Sequence, residues 1–313
     1  MRPYSRVYAT VNLDAVASNM RSMRDNLPAS TLIMGSVKAD GYGHGSVPVA
    51  KTIEPYVFGY AVATIDEGII LRRHGINKTI LILGVTHESR YEDLLRYDIR
   101  TAMFQYEKAK KLSDLALKQG KKAVVHLALD TGMSRIGMKA DREHAKEAAA
   151  IAALEGIEVE GLFTHFARAD ETDKSAYEEQ YRRYKEFLGY LKELGVKIPI
   201  RHCSNSAGIV ESLESNHMDM VRAGIAIYGM YPSDEVDHNS VKLTPAMEIK
   251  SCITYIKEIE AGTAVSYGGT FVADHTMKVA TIPVGYGDGY VRSLSGKGEV
   301  LIQIGKASCR ERV

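Results

Sequence analysis

The chain has no tryptophan, three cysteines among 313 residues and no surplus of either charge. Each scarcity excludes something. Forty lysines and arginines face 39 aspartates and glutamates, for a formal net charge of +1. Without a basic surplus nothing is available to neutralise a run of phosphates, which argues against electrostatic binding of nucleic acid. Cys203, Cys252 and Cys309 are scattered without metal-ligand spacing, so no metal site is expected. An odd, sparse set reads as free thiols in a reducing compartment. The opening "MRPYSRVYATVNLD" has no apolar core of signal length, and no run of about 18 apolar residues occurs anywhere. The expectation is a soluble, cytoplasmic protein. Eighteen tyrosines replace the missing tryptophan, and half-buried packing accounts for most of them.

What is present alternates. "TLIMGSV" (31–37), "VFGYAVA" (57–63), "TILILGV" (79–85), "AVVHLAL" (123–129), "VEGLFTHF" (159–166) and "IPIRHCS" (198–204) read as strands, with weaker candidates at 98–103 and 220–229. Between them, 141–155 and 174–195 place apolar residues at three- and four-residue spacing, as helices do. About eight strand–helix units in some 230 residues is the size of a closed (β/α)8 barrel of the TIM type. Strands that are continuously apolar suit a parallel sheet covered on both sides. After the polar stretch 231–240, the segments 246–259, 278–285 and 298–304 follow without helices, as in a separate β domain. The division expected is a barrel over 1–240, an incomplete β domain over 241–302, and a basic stretch over 303–313 read as a non-native tail.

The stretch "VKADGYGHG" (37–45) ends an apolar strand on a lysine, Lys38, and follows it with three glycines, Tyr42 and His44. At the C-terminal end of a barrel strand a lysine faces the active-site mouth. An amine withdrawn from water there keeps its lone pair available for imine chemistry. Gly41, Gly43 and Gly45 allow a sharp turn close to a ligand.

Taken with "AVASNM", this stretch resembles the start of the alanine racemases. Further motifs agree in order: "LDTGMSRIG" (129–137), "GLFTHFARAD" (161–170), "HCSNSAG" (202–208), "MVRAGIAIYGMYPS" (220–233), "VSYGGTF" (265–271) and "IPVGYGDGY" (282–290). The resemblance runs from about residue 6 to about residue 302. It implies a barrel plus β domain and dependence on pyridoxal 5'-phosphate (PLP). By this likeness Lys38 holds PLP as an internal aldimine and is one of two acid–base groups. Tyr267 matches the second, which works on the opposite face of the substrate and comes from the other subunit of a homodimer. Two groups on opposite sides of a fixed plane invert a centre without turning the substrate over. His165 and Arg222 match residues near that tyrosine. Arg222 would face the pyridine nitrogen; having no acceptor, it would leave that nitrogen unprotonated. The phosphate would lie against Tyr42, Ser206 and the backbone N–H groups of Gly224 and Ile225, with Leu83 and Asn205 as further lining. Arg135 matches the arginine that steadies the substrate carboxylate, and Tyr286 a tyrosine at the entrance. The implied activity is interconversion of L- and D-alanine, supplying D-alanine for peptidoglycan.

Two departures stand out. Many relatives carry a lysine, sometimes carbamylated, where this chain has Ala128. The family's C-terminal domain also continues past residue 302 with motifs absent here, so the chain reads as truncated, and a PLP-binding but inactive fragment is one alternative. A broad-specificity or serine racemase is another. A PLP decarboxylase of basic amino acids should carry an acidic residue in the role of Arg222. A single-barrel PLP carrier should lack "VSYGGTF".

Overall fold

The computed structural model describes residues 6–302 and 305–308. It contains two units: Asn12–Ala246, and the residues up to Val11 together with those from Met247 onward.

The larger unit is built on eight strands, β1 (Leu32–Ser36), β2 (Gly59–Val62), β3 (Thr79–Ile82), β4 (Arg100–Met103), β5 (Ala123–Asp130), β6 (Ile157–Phe163), β7 (Ile200–His202) and β8 (Met220–Ala223). Each pairs in parallel with the next, and β8 pairs with β1, which closes the ring. Alternation along the strands splits their side chains between two cores. Ile33, Tyr60, Val62, Ile80, Ile82, Val125, Leu127, Leu162 and Val221 belong to the large core shared with the helices. Met34, Ala61, Leu81 and Met220 form one small cluster inside the ring, and Ala102, Ala128 and Phe163 another.

Some of the helices start at caps that the sequence supplies. Thr64 and Glu67 form a capping box before Ile65–Arg73, and Asp141 accepts from His144 N before Arg142–Ala152. The helix Ser175–Glu193 turns Tyr177, Tyr181, Tyr184, Phe187 and Leu191 inward at helical spacing. After β8 only the short 3-10 turn Ile225–Tyr228 follows, and the helix Leu13–Asp25 packs against it. Buried Asn19 pins this helix: Nδ2 donates to Ile227 O (3.1 Å) and Thr244 O (2.9 Å), and Oδ1 accepts from Thr244 N (2.8 Å). Buried tyrosines anchor helix to strand and loop to strand. Tyr60 donates to Ala50 O, Tyr184 to Leu162 O and Tyr228 to Ser36 O, at 2.7–2.9 Å. An unsatisfied hydroxyl at such a depth costs about 1–3 kcal/mol, so these bonds decide that tyrosine is tolerated there.

The larger unit begins and ends later than the expected 1–240. Val7–Val11 pairs antiparallel with Met247–Ser251, from Val7↔Ser251 to Val11↔Met247, and so joins the smaller unit. The expected strand 220–229 stops at Ala223, where the backbone turns at Gly224 (φ −125°, ψ −108°).

The smaller unit is antiparallel: Tyr255–Ile259 pairs with Met277–Thr281, Ala264–Val265 with Phe271–Val272, and Glu299–Ile302 with Gly305–Ser308. The apolar run 246–259 is therefore two strands. Arg6 clasps Asp288, with Nη1 donating to Oδ2 at 2.8 Å and Nη2 to Oδ1. Of the stretch 303–313, the strand Gly305–Ser308 is described and the rest, Cys309 included, lies outside the described residues. Among the described residues no helix is long and apolar enough to cross a membrane.

Candidate active site

Lys38 sits two residues beyond β1, half-buried, and opens a turn that the sequence did not foretell. Ala39 (φ 50°), Asp40 (51°), Gly41 (62°) and Tyr42 (53°) are all left-handed, a helical turn of the wrong hand for L-residues. Each non-glycine residue held so costs roughly 1–2 kcal/mol. Tertiary bonds offset this. Glu67 accepts from Ala39 N at 2.8 Å through Oε1 and from Ala63 N at 2.7 Å through Oε2. Asp40 accepts from Ser46 N at 2.8 Å, and the rings of Tyr42 and His44 pack on buried Tyr228 at 4.9 and 4.5 Å. One carboxylate, Glu67, thus ties the exits of β1 and β2 together beside Lys38.

Arg222 projects from β8 and is 3% exposed. Its Nη1 donates to His202 Nδ1 (2.8 Å) and His202 O (3.1 Å); its Nη2 donates to Thr164 O (2.7 Å), Cys203 O (3.0 Å) and His165 Nδ1 (3.2 Å). All five acceptors are uncharged. They engage both terminal nitrogens and leave Nε–H as the donor without a partner in these contacts. Burial lowers its pKa to about 10, so it remains a cation at neutral pH. His165, accepting through Nδ1, is pushed down to about 3 by burial and then by Arg222, Arg135 and Lys38. It is a neutral imidazole in a cationic surround.

The loop after β5 presents Arg135. Asp130 Oδ1 accepts from Gly132 N and Ser134 N, both at 3.0 Å, and shapes the turn. Gln180, buried on the helix Ser175–Glu193, donates to Thr131 Oγ1 and His165 O, both at 3.1 Å, and accepts from Ala167 N at 2.9 Å. It therefore fixes two mouth loops at once. Lys38, Leu83, Ala128, Arg135, His165 and Arg222 line one cavity of about 50 Å³, with Leu129, Met133, Ile136 and Phe163. Lys38 and Arg222, far apart in sequence, are brought to one place.

A second group converges after β7 and β8. Ser206 Oγ accepts from Gly224 N (2.9 Å) and Ala226 N (3.3 Å). A Cβ at Gly224 would stand 3.4 Å from Tyr42 Oη and 3.5 Å from Ser206 Oγ, so two hydroxyls border the space over this glycine. Ile225 starts the adjoining turn. This cradle suits a phosphate: hydroxyl donors surround backbone that a side chain would cover. Gly224 N–H is engaged by Ser206 here, so Tyr42 and Ser206 are the side-chain donors the cradle offers. Asn205 caps the helix Ser206–Val210 through Gly208 N (3.2 Å) and donates to Phe166 O (3.3 Å). It is absent from the lining of the cavity around Lys38.

Tyr267 and Tyr286 belong to the smaller unit, each opening a short 3-10 turn, 69% and 58% exposed. Ser266 (φ 59°), Gly268 (79°) and Gly269 (53°) make the chain around Tyr267 sharply bent.

Sequence reasoning did not single out Glu67, Gln180, His202, His126 or Glu160. Glu67 was readable only as the capping partner of Thr64; His202 stood inside a quoted motif without a role.

A closed (β/α)8 barrel with an amine and guanidinium groups at its mouth, a hydroxyl-lined glycine cradle and an appended antiparallel unit defines a class of barrel enzyme. The family model for the alanine racemase N-terminal domain matches residues 11–232, and that for the alanine racemase C-terminal domain matches 246–313. An alanine racemase of Desulforamulus reducens is 43% identical over 308 residues, 98% of this chain and 83% of that protein. An alanine racemase of Clostridium difficile 630, solved in complex with cycloserine, matches with a TM-score of 0.89 at 38% identity, over 99% of this chain and 81% of that one. The alanine racemase of Bacillus anthracis with bound L-Ala-P also gives 0.89, at 32% identity, over 100% and 81%. The chain belongs to the alanine racemase family.

Proposed function

We propose that the chain holds PLP at the barrel mouth through Lys38 and racemises alanine, with Lys38 and Tyr267 as the two proton-transferring groups. The observation that carries this is the shared cavity of Lys38, Arg135, His165 and buried Arg222. The cradle of Tyr42, Ser206 and Gly224 supports it, because it would receive a phosphate. When bound, PLP supplies a conjugated electron sink that acidifies the α-C–H of an attached amino acid.

The chain's own residues do the rest. Lys38 Nζ takes or returns the α-proton on one face. Tyr267 Oη does so on the other, from a second copy of the chain in a cytoplasmic homodimer. Arg135 steadies the substrate carboxylate, a planar pair of oxygens matched by its guanidinium. Arg222 would offer its remaining N–H to the ring nitrogen and could accept no proton from it. Its five uncharged acceptors suit a cation and would repel a carboxylate, which weighs against the decarboxylase reading. Leu83 and Ile225 complete the lining, Asn205 supports it as a cap, and Tyr286 has the role of an entrance residue by family likeness alone.

The test is exchange in deuterated water. Protein loaded with PLP and given L-alanine should show bound-cofactor absorbance and place deuterium at Cα in both enantiomers. Tyr267→Phe should keep the absorbance and lose turnover unequally from the L and D sides. Cofactor bound without any α-exchange would overturn the proposal.

A further inference from the structure

A line of buried polar side chains crosses the barrel interior behind Arg222. Arg222 Nη1 lies 2.8 Å from His202 Nδ1, His202 Nε2 lies 2.8 Å from His126 Nδ1, and His126 Nε2 lies 2.9 Å from Glu160 Oε2. Both histidines are fully buried, and Arg100 Nε stands 3.5 Å from the same Glu160 oxygen. The backbone is arranged for this line. Val125 pairs with Val159 and the next residue, His126, with Gly161, so Glu160 is the extra residue of a β-bulge. Bulges re-aim side chains. Gly161 leaves the room: a Cβ there would lie 2.5 Å from His126 Nδ1.

The direction of every hydrogen bond in the line is forced. A guanidinium only donates, so His202 Nδ1 carries the lone pair and the proton sits on Nε2. That proton is donated to His126 Nδ1, so the proton of His126 also sits on Nε2 and goes to Glu160. Neither ring has room for a second proton. Three bonds therefore point the same way, from a cation at the mouth to a carboxylate at the far end.

We propose that Glu160, acting through His126 and His202, is a positioning residue of the racemase site that fixes both imidazole tautomers and thereby the aim of the Arg222 guanidinium. This rests on the reading of Arg222 given above. Burial lowers the pKa of both histidines, which agrees with neutral rings. Glu160 stays ionised because His126 and Arg100 together outweigh its burial. Without the acceptor at 160, the proton of His126 is drawn to Nδ1, against His202 Nε2–H; turning His202 over then sets a proton against Arg222. The line relaxes only by moving the guanidinium.

Two measurements test this. In the wild-type protein without PLP, nitrogen-15 NMR of the imidazoles should report both His126 and His202 as neutral Nε2–H tautomers. An Nδ1–H tautomer or an imidazolium at either position overturns the proposal, independently of any catalytic reading. In the loaded enzyme, Glu160→Leu should cut kcat at least tenfold in both directions with KM for alanine changed less than threefold, whereas Glu160→Gln, which keeps an acceptor, should recover most of the loss. Glu160→Leu with kcat within twofold of wild type, or no recovery in Glu160→Gln, overturns it. If Glu160→Leu fails to fold, the wild-type tautomers decide. Wild-type tautomers as stated in a protein without racemase activity would sink the activity proposal and leave the line standing.

Discussion

Replacing alanine by glycine in a helix normally destabilises a protein, and at residue 39 the opposite is expected. Ala39 is exposed and held at φ 50°, ψ 49°. Its Cβ costs roughly 1–2 kcal/mol in that conformation, and glycine would remove the cost. Glycine charges about 0.5–1 kcal/mol of its own by loosening the unfolded chain. The difference leaves Ala39→Gly more stable by up to about 1.5 kcal/mol, since the bond from residue 39 N to Glu67 survives the change. For a unit of this size that is a rise of up to about 6 °C in Tm. The control is Ala150→Gly, an exposed alanine in the right-handed helix Arg142–Ala152, which should lose about 1 kcal/mol. Thermal or urea unfolding of the two variants against wild type reads the contrast. A loss at residue 39 equal to that at residue 150 would refute the left-handed turn and with it the account of how Lys38 is placed.

Gly224→Ala should weaken PLP binding at least tenfold, about 1.4 kcal/mol, because its Cβ would enter the space bordered by Tyr42 Oη and Ser206 Oγ. Titration with pyridoxal, which has no phosphate, should show a smaller change, and equal losses would remove the cradle from the phosphate site. His165 titrates near 6.5 when unfolded and near 3 when folded. Between those values the unfolded chain binds the extra proton, so stability is complete above about pH 6.5 and is lost as the pH falls towards 3. The urea midpoint should therefore drop less between pH 7.5 and pH 5 in His165→Gln than in wild type, and identical drops would contradict the assignment.

Much of the site was legible because motifs name residue types at strand ends, and strand ends converge in a barrel. Lys38 could be anticipated for that reason, whereas Arg135, His165 and Arg222 were expected only from the resemblance to the alanine racemases. What stayed hidden depends on pairings across the chain. Glu67 reads as the capping-box partner of Thr64, and it is one, but its reach to Ala39 is a tertiary fact. Ala39 and Tyr42 are not residues that advertise positive φ; the turn is held by the bonds of Glu67 and Asp40 and by the packing of Tyr42 and His44 on Tyr228. Val7–Val11 found its partner some 240 residues away, beyond any local pattern. His126 offered one signal, a histidine alone in the apolar strand "AVVHLAL" with a charge in the neighbouring "VEGLF". Two such polar residues in adjacent buried strands must satisfy each other or the barrel would not close around them.

Lys38 is proposed to carry the cofactor at the mouth it shares with Arg222. Borohydride reduction of the PLP-loaded protein followed by peptide mass mapping measures it directly. One phosphopyridoxyl group is expected, on Lys38 within "VKADGYGHG", and none in Lys38→Ala. Label on another lysine, or undiminished label in Lys38→Ala, would contradict it.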